Sequence, residues 1–111
     1  EFEAAFGSTS HPCAYLYARD GVRRWRTRMF APTLGMIEDP ATGSAAAAFA
    51  GTLMASEPPA NDGETQHVLL QGVEMGRPSE IVLTLDIEGG RLASATIGGA
   101  AVIVSQGEID L

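Results

Sequence analysis

The apolar and polar positions along the chain change period several times, and each change marks an element. Cys13 to Ala18 (C-A-Y-L-Y-A) is continuously apolar and aromatic, which predicts a buried strand. Val22 to Phe30 alternates instead, with Arg24, Arg26 and Arg28 on one side and Trp25, Thr27 and Met29 on the other. Asp20-Gly21 between the two runs is a two-residue turn signal, so the runs are predicted to pair as a β-hairpin. Ala31 to Gly35 reads as a loop.

Alternation then gives way to a run without polarity. Ser44 to Ala55 (S-A-A-A-A-F-A-G-T-L-M-A) is apolar or small on every face, the pattern of a helix enclosed on all sides. Its alanines and Gly51 permit close approach of neighbouring backbone. Thr42 or Ser44 can cap it, and Pro40 stands where a missing N–H does no harm. Glu38 and Asp39 bring negative charge to its positive end. Ser56 to Glu64 reads as an exposed turn region. Four further apolar runs follow: His67–Gln71, Glu80–Ile87, Leu92–Ile97 and Ala101–Ser105. They are separated by Gly76-Arg77-Pro78, Gly89-Gly90 and Gly98-Gly99, the last read as a tight turn between adjacent strands. The expectation is an α+β domain in which a strongly curled mixed sheet surrounds one enclosed helix.

Length and composition narrow the setting. At 111 residues, without internal repeat or dividing linker, the chain reads as one domain. A chain of this length buries roughly two-thirds of its unfolded surface, so no metal or disulfide staple is required. A single cysteine, Cys13, cannot form an intramolecular bridge, which fits a reducing cytoplasm. No charged n-region leads into an apolar h-region, so no signal peptide is expected. Residues 40–56 carry no charge but fall short of the ~20 strongly apolar residues of a membrane span. The net charge of −7, with seven arginines and no lysine, argues against general nucleic-acid binding. Five of the arginines lie between Arg19 and Arg28, leaving one basic strip on an acidic body.

The strongest candidate for chemistry is Asp39 to Ser44. A helix start presents unpaired N–H groups and roughly half a positive charge. Gly43 has no side chain to block approach to that backbone, Thr42 and Ser44 add hydroxyl donors, and Asp39 places a carboxylate at the mouth. Such a set can hold a small carboxylate-bearing molecule while a nearby acid or base moves a proton. The same residues are also ordinary capping residues before an alanine-rich helix, and residue chemistry alone leaves both readings open.

Other groups have simpler readings. His11 and Cys13 are too few for a closed zinc site, and Cys13 reads as a buried structural thiol. His67 reads as a satisfied or exposed strand histidine. The Arg24, Arg26 and Arg28 face reads as a solvated or inter-domain face, and Arg77 as part of a turn fixed by Gly76 and Pro78. The glycines form no phosphate-binding loop.

Gly35-Met36-Ile37-Glu38-Asp39-Pro40-Ala41-Thr42-Gly43-Ser44-Ala45 resembles the signature of the PhzF-type isomerases of phenazine biosynthesis. The likeness extends to Arg28 and Phe30, Gln71-Gly72, Met75-Gly76-Arg77-Pro78-Ser79 and Ile97-Gly98-Gly99-Ala100-Ala101-Val102. The resemblance implies a diaminopimelate-epimerase-like fold of two similar halves, each a curled sheet around a central helix, with the active site between them. This chain resembles the C-terminal half only, and the catalytic glutamate of the N-terminal half has no counterpart in it. Asp39-Pro40 stands near the place of a reactive cysteine in related epimerases, so two-cysteine racemisation is not expected. The resemblance implies isomerisation by acid–base proton shifts without metal or organic cofactor. Asp39 would then hydrogen-bond the substrate and help position or shuttle protons, while Thr42, Gly43 and Ser44 hold it. The expected partners are a small carboxylate substrate and either a second copy or the missing half. A binding or assembly domain without catalysis is the alternative.

Overall fold

The computed structural model describes residues 2–6, 8 and 12–111, so His11 lies outside the described residues. After a five-residue helix, α1 (Phe2–Phe6), the strands β1 (Ala14–Gly21) and β2 (Arg24–Ala31) form the expected antiparallel hairpin. Its turn is Val22-Arg23, two residues beyond the Asp20-Gly21 signal. A register shift between Arg19 and Gly21 displaces it, and Gly21, at φ 142°, supplies backbone that other residues rarely adopt. The alternation of β2 is as predicted: Trp25 and Thr27 are buried, and Arg24, Arg26 and Arg28 are half-buried on the opposite side.

A 3-10 turn (Pro32–Leu34) leads into β3 (Met36–Asp39), a strand that periodicity does not announce. It pairs antiparallel with the far half of β2, Met29 opposite Asp39 and Ala31 opposite Met36. The chain then forms α2 (Gly43–Ser56), which serves as the crossover to β4 (Gly63–Gln71). Strand β4 runs parallel to the near half of β2, from Arg24 opposite Val68 to Thr27 opposite Gln71. Since β1 lies along the whole of the other edge, β3 and β4 share one edge of β2 end to end. Antiparallel β5 (Ser79–Glu88) and β6 (Arg91–Gly99) complete a six-stranded mixed sheet of order β1-β2-β4-β5-β6, with β3 beside β2.

Ala46, Phe49, Ala50 and Leu53, spaced as one helical stripe, are buried against Trp25, Leu69, Leu83, Leu85 and Ile87. Phe49 meets the edge of the Trp25 ring at a centroid separation of 5.3 Å. The domain is therefore α+β with the core between one helix and one sheet face.

Four expectations need correction. The first strand is not buried: Leu16 and Tyr17 are 55% and 49% exposed, because β1 is an edge strand of the open sheet. The helix is not enclosed: Ser44, Ala48, Gly51 and Ala55 are exposed, because the sheet covers one side of α2 and stays open between β1 and β6. Ala101–Ser105 forms no strand. Val102, Ile103 and Val104 are 83%, 90% and 91% exposed, because an apolar run becomes a strand only where a neighbour takes its hydrogen bonds. Gly98-Gly99 is not a turn but the end of β6, paired opposite Val82 and Ile81. Among the described residues, no helix is long and apolar enough to cross a membrane.

Candidate active site at the start of the second helix

The shared edge of β2 decides the site. It sets the C-terminal ends of β3 and β4, Asp39 and Gln71, side by side at the entrance to α2. Gln71 is fully buried. Its Nε2 donates to the Asp39 carbonyl at 2.8 Å and to Thr42 Oγ1 at 2.9 Å, and its Oε1 accepts the Thr42 N–H at 3.3 Å. Thr42 Oγ1 donates to Asp39 Oδ2 at 2.6 Å.

Thr42 is the N-cap residue by position, with extended backbone at φ −117°, yet its side chain makes no hydrogen bond to the first helical turn. The first helical bond runs from the Ala46 N–H to the Thr42 carbonyl at 3.0 Å. The N–H groups of Gly43, Ser44 and Ala45 thus find no acceptor among the described residues, and Asp39 Oδ1 receives no donor there. Those groups form a small concentration of donors at the helix start.

The backbone around this start is tightly fitted. Gly72, at φ 77°, lies where a Cβ would come 2.3 Å from the Arg77 carbonyl and 2.8 Å from the Pro40 carbonyl. The turn it opens closes with Arg77 N–H donating to the Gly72 carbonyl at 2.9 Å, which is the turn role read for Arg77. At Gly43, a Cβ would meet Ile97 Cδ1 of β6 at 2.6 Å, so the helix start also rests on the far strand.

Glu38 leaves the cluster. It forms a two-point ion pair with Arg28, whose guanidinium holds the Glu38 carboxyl below its ordinary range. Arg26 pairs with Glu74 at 3.1 Å and Arg24 with Asp20 at 3.5 Å, so the basic strip read as a solvated face is a face of ion pairs.

On the other side of the helix start, Ser44, Ala45 and Ala48 border an open groove of about 420 Å³ with Cys13, Tyr15 and Tyr17. Cys13 is half-buried on this wall rather than buried. Burial pushes the Tyr15 phenol up. Far from the site, His67 is buried and satisfied: its Nδ1 accepts the Trp25 indole N–H at 3.1 Å, which leaves the ring proton on Nε2. Among the described residues, no three His, Cys, Asp or Glu converge in a way that could hold a metal ion.

Of the residues singled out in the sequence, Asp39 and Thr42 are hydrogen-bonded to each other, Gly43 rests on Ile97, and Ser44 faces the groove on the other side. Gln71 was missed as a site residue, and its only mark was its place in the matched Gln71-Gly72 pair.

A mixed sheet carrying one crossover helix, whose N-cap threonine bonds Asp39 instead of its own first turn, defines an α+β domain. The profile of the family described as phenazine biosynthesis-like protein matches residues 5–107, and the chain belongs to that family. It is 51% identical over 98 residues to an uncharacterized isomerase of Mesorhizobium japonicum, covering 86% of this chain and 32% of that protein. It is 38% identical over 95 residues to an uncharacterized isomerase of Deinococcus radiodurans, covering 84% and 30%. With the trans-2,3-dihydro-3-hydroxyanthranilate isomerase of Pseudomonas chlororaphis it shares 42% over 93 residues, covering 80% and 31%. The chain spans about a third of the length of the curated relatives it matches.

Proposed function

We propose that this chain forms one wall of the active site of a PhzF-type isomerase that shifts a proton on a small carboxylate-bearing metabolite. The observation that carries the reading is that the N–H groups of Gly43, Ser44 and Ala45 and the Oδ1 of Asp39, all at the helix start, have no partner among the described residues. Donors at a helix start bind a substrate carboxylate, and an adjacent carboxylate accepts or returns a proton. Family membership and the isomerase names of the relatives support it.

In this reading Gly43 and Ser44 hold the substrate with backbone N–H and hydroxyl groups. Thr42 orients Asp39, and Asp39 hydrogen-bonds the substrate and helps position or shuttle the proton. A base removes a proton from one carbon, the double-bond electrons move along the skeleton, and an acid returns a proton at another carbon. The composition of the substrate is unchanged, and neither metal nor organic cofactor takes part. The principal base comes from the remainder of the protein, of which this chain would be a C-terminal part of about a third by the length of its relatives. That remainder, or a second copy in a homodimer, covers the open stripe of α2 and completes the curled enclosure. The cytoplasm is the proposed location.

The test uses the full-length protein with trans-2,3-dihydro-3-hydroxyanthranilate and a panel of small unsaturated carboxylates in D2O. Turnover with incorporation of one solvent deuterium is expected, with Asp39→Asn lowering kcat by about 10²–10⁴-fold at unchanged circular dichroism. Undiminished turnover in Asp39→Asn rejects the assignment. Binding without exchange makes the protein a binding or assembly domain.

A further inference from the structure

Gln71 comes from β4, reaches the helix start across 29 residues of sequence, and is fully buried where most glutamines are exposed. Its orientation is fixed by chemistry. The Asp39 carbonyl can only accept, so the group 2.8 Å from it must be the NH2. The Thr42 N–H can only donate, so the group facing it must be the carbonyl oxygen. The second NH2 hydrogen then points at Thr42 Oγ1, which has to accept it. A hydroxyl has one proton, and the Thr42 proton is left to go to Asp39 Oδ2 at 2.6 Å. The hydroxyl is thus held from both sides, accepting from the Gln71 carboxamide and donating to the Asp39 carboxylate, which can only accept.

The consequence lies in what Thr42 does not do. A threonine at the N-cap ordinarily turns its oxygen onto the N–H of the second or third helical residue, here Ser44 or Ala45. Held between Gln71 and Asp39, this hydroxyl makes no such bond.

We infer that Gln71 is a positioning residue that keeps Thr42 from capping its own helix, so that the first-turn N–H groups stay available and Asp39 stays oriented. This rests on the reading of the helix start as the ligand site. It adds a residue that touches no substrate and acts only through Thr42.

The test is amide hydrogen exchange at Ser44 and Ala45 in the full-length protein, compared with Gln71→Met and Gln71→Asn. Either variant frees the hydroxyl to turn into the cap. Exchange at Ser44 or Ala45 is expected to slow by about fivefold, the equivalent of one cap hydrogen bond. The slowing is expected to vanish in Gln71→Met/Thr42→Val, which has no hydroxyl to move. A general loss of packing would speed exchange, and would do so with or without the hydroxyl. Affinity for 3-hydroxyanthranilate, used as a carboxylate probe, is expected to fall about fivefold in parallel. Unchanged exchange in a folded variant overturns the inference, as does slowing that persists without the Thr42 hydroxyl. If neither variant folds, Gln71 is a structural tie between β3 and β4 and the inference is again overturned. Slowed exchange with unchanged probe affinity upholds the role of Gln71 and rejects the helix start as the ligand site.

Discussion

Arg28 on β2 and Glu38 on β3 meet at two points, Nε to Oε1 at 2.8 Å and Nη2 to Oε2 at 3.0 Å. The guanidinium also lies over the Phe30 ring, 4.8 Å from its centroid. The pair ties down the residue before Asp39, so the carboxylate of the site hangs from a fixed strand.

That tie is pH-dependent. The Glu38 carboxyl is held below its ordinary value of 4.5, chiefly by its hydrogen bonds to Arg28. A depressed carboxyl contributes stability that is present above the unfolded-state value and lost as pH falls through the folded one. Urea midpoints of the protein are expected to drop between about pH 6 and about pH 3, and less steeply in Glu38→Gln. Equal slopes would contradict the assignment. Arg28→Lys, which loses the two-point geometry, should behave like Glu38→Gln.

His67 adds a second pH effect in a different window. Burial, reinforced by Arg23, holds its pKa below the ordinary 6.5. The unfolded state therefore takes up the proton first, and the contribution is intact above about pH 6.5 and lost as pH falls through the lower folded value. Protonation also sets an N–H donor against the Trp25 N–H donor. Midpoints taken at about pH 7.5 and about pH 5.5 should fall in the parent and stay level in His67→Gln. Trp25→Phe, which strands Nδ1, is expected to cost roughly 1–3 kcal/mol at the higher pH.

Two glycines at the site separate rigid from yielding neighbours. Gly72→Ala drives a Cβ into the Arg77 and Pro40 carbonyls at a positive φ, and a loss of about 3 kcal/mol or more is expected. At Gly43 the obstacle is the far carbon of Ile97. Gly43→Ala should therefore cost roughly 1–2 kcal/mol, and Ile97→Val, which lacks that carbon, should recover most of it. Chemical denaturation of the two single variants and the double variant decides the point; a Gly43→Ala loss untouched by Ile97→Val would refute it.

Thr42→Val removes the hydroxyl between Gln71 and Asp39. It leaves a buried Nε2 donor without one acceptor, and a loss of roughly 1–3 kcal/mol is expected. Activity in the full-length protein should fall with it, because Asp39 loses the bond that orients it. A stable variant with parental turnover would contradict both roles.

Much of this was open to reading along the chain. The hairpin, the alternation of β2, the helix and the last three strands of the sheet follow from side chains repeating at the period of their own backbone. The cluster from Asp39 to Ser44 was also visible, because capping chemistry is local. Strand β3 was not, since exposed Met36 and Ile37 carry no alternation and the strand exists only as a partner of β2. Ala101–Ser105 failed for the converse reason: the apolar pattern is there and the neighbouring strand is not, among the described residues.

Sequence by itself determined which segments can become strand or helix and where the helix start gathers its polar groups, because both depend on residues within one or two turns of each other. Tertiary structure decided that β3 and β4 share an edge of β2, which placed Gln71 against Thr42 and Asp39 from 29 and 32 residues away. A buried amide held against a threonine at a helix start leaves no local mark, since its contacts depend on the folded arrangement of three strands and a helix.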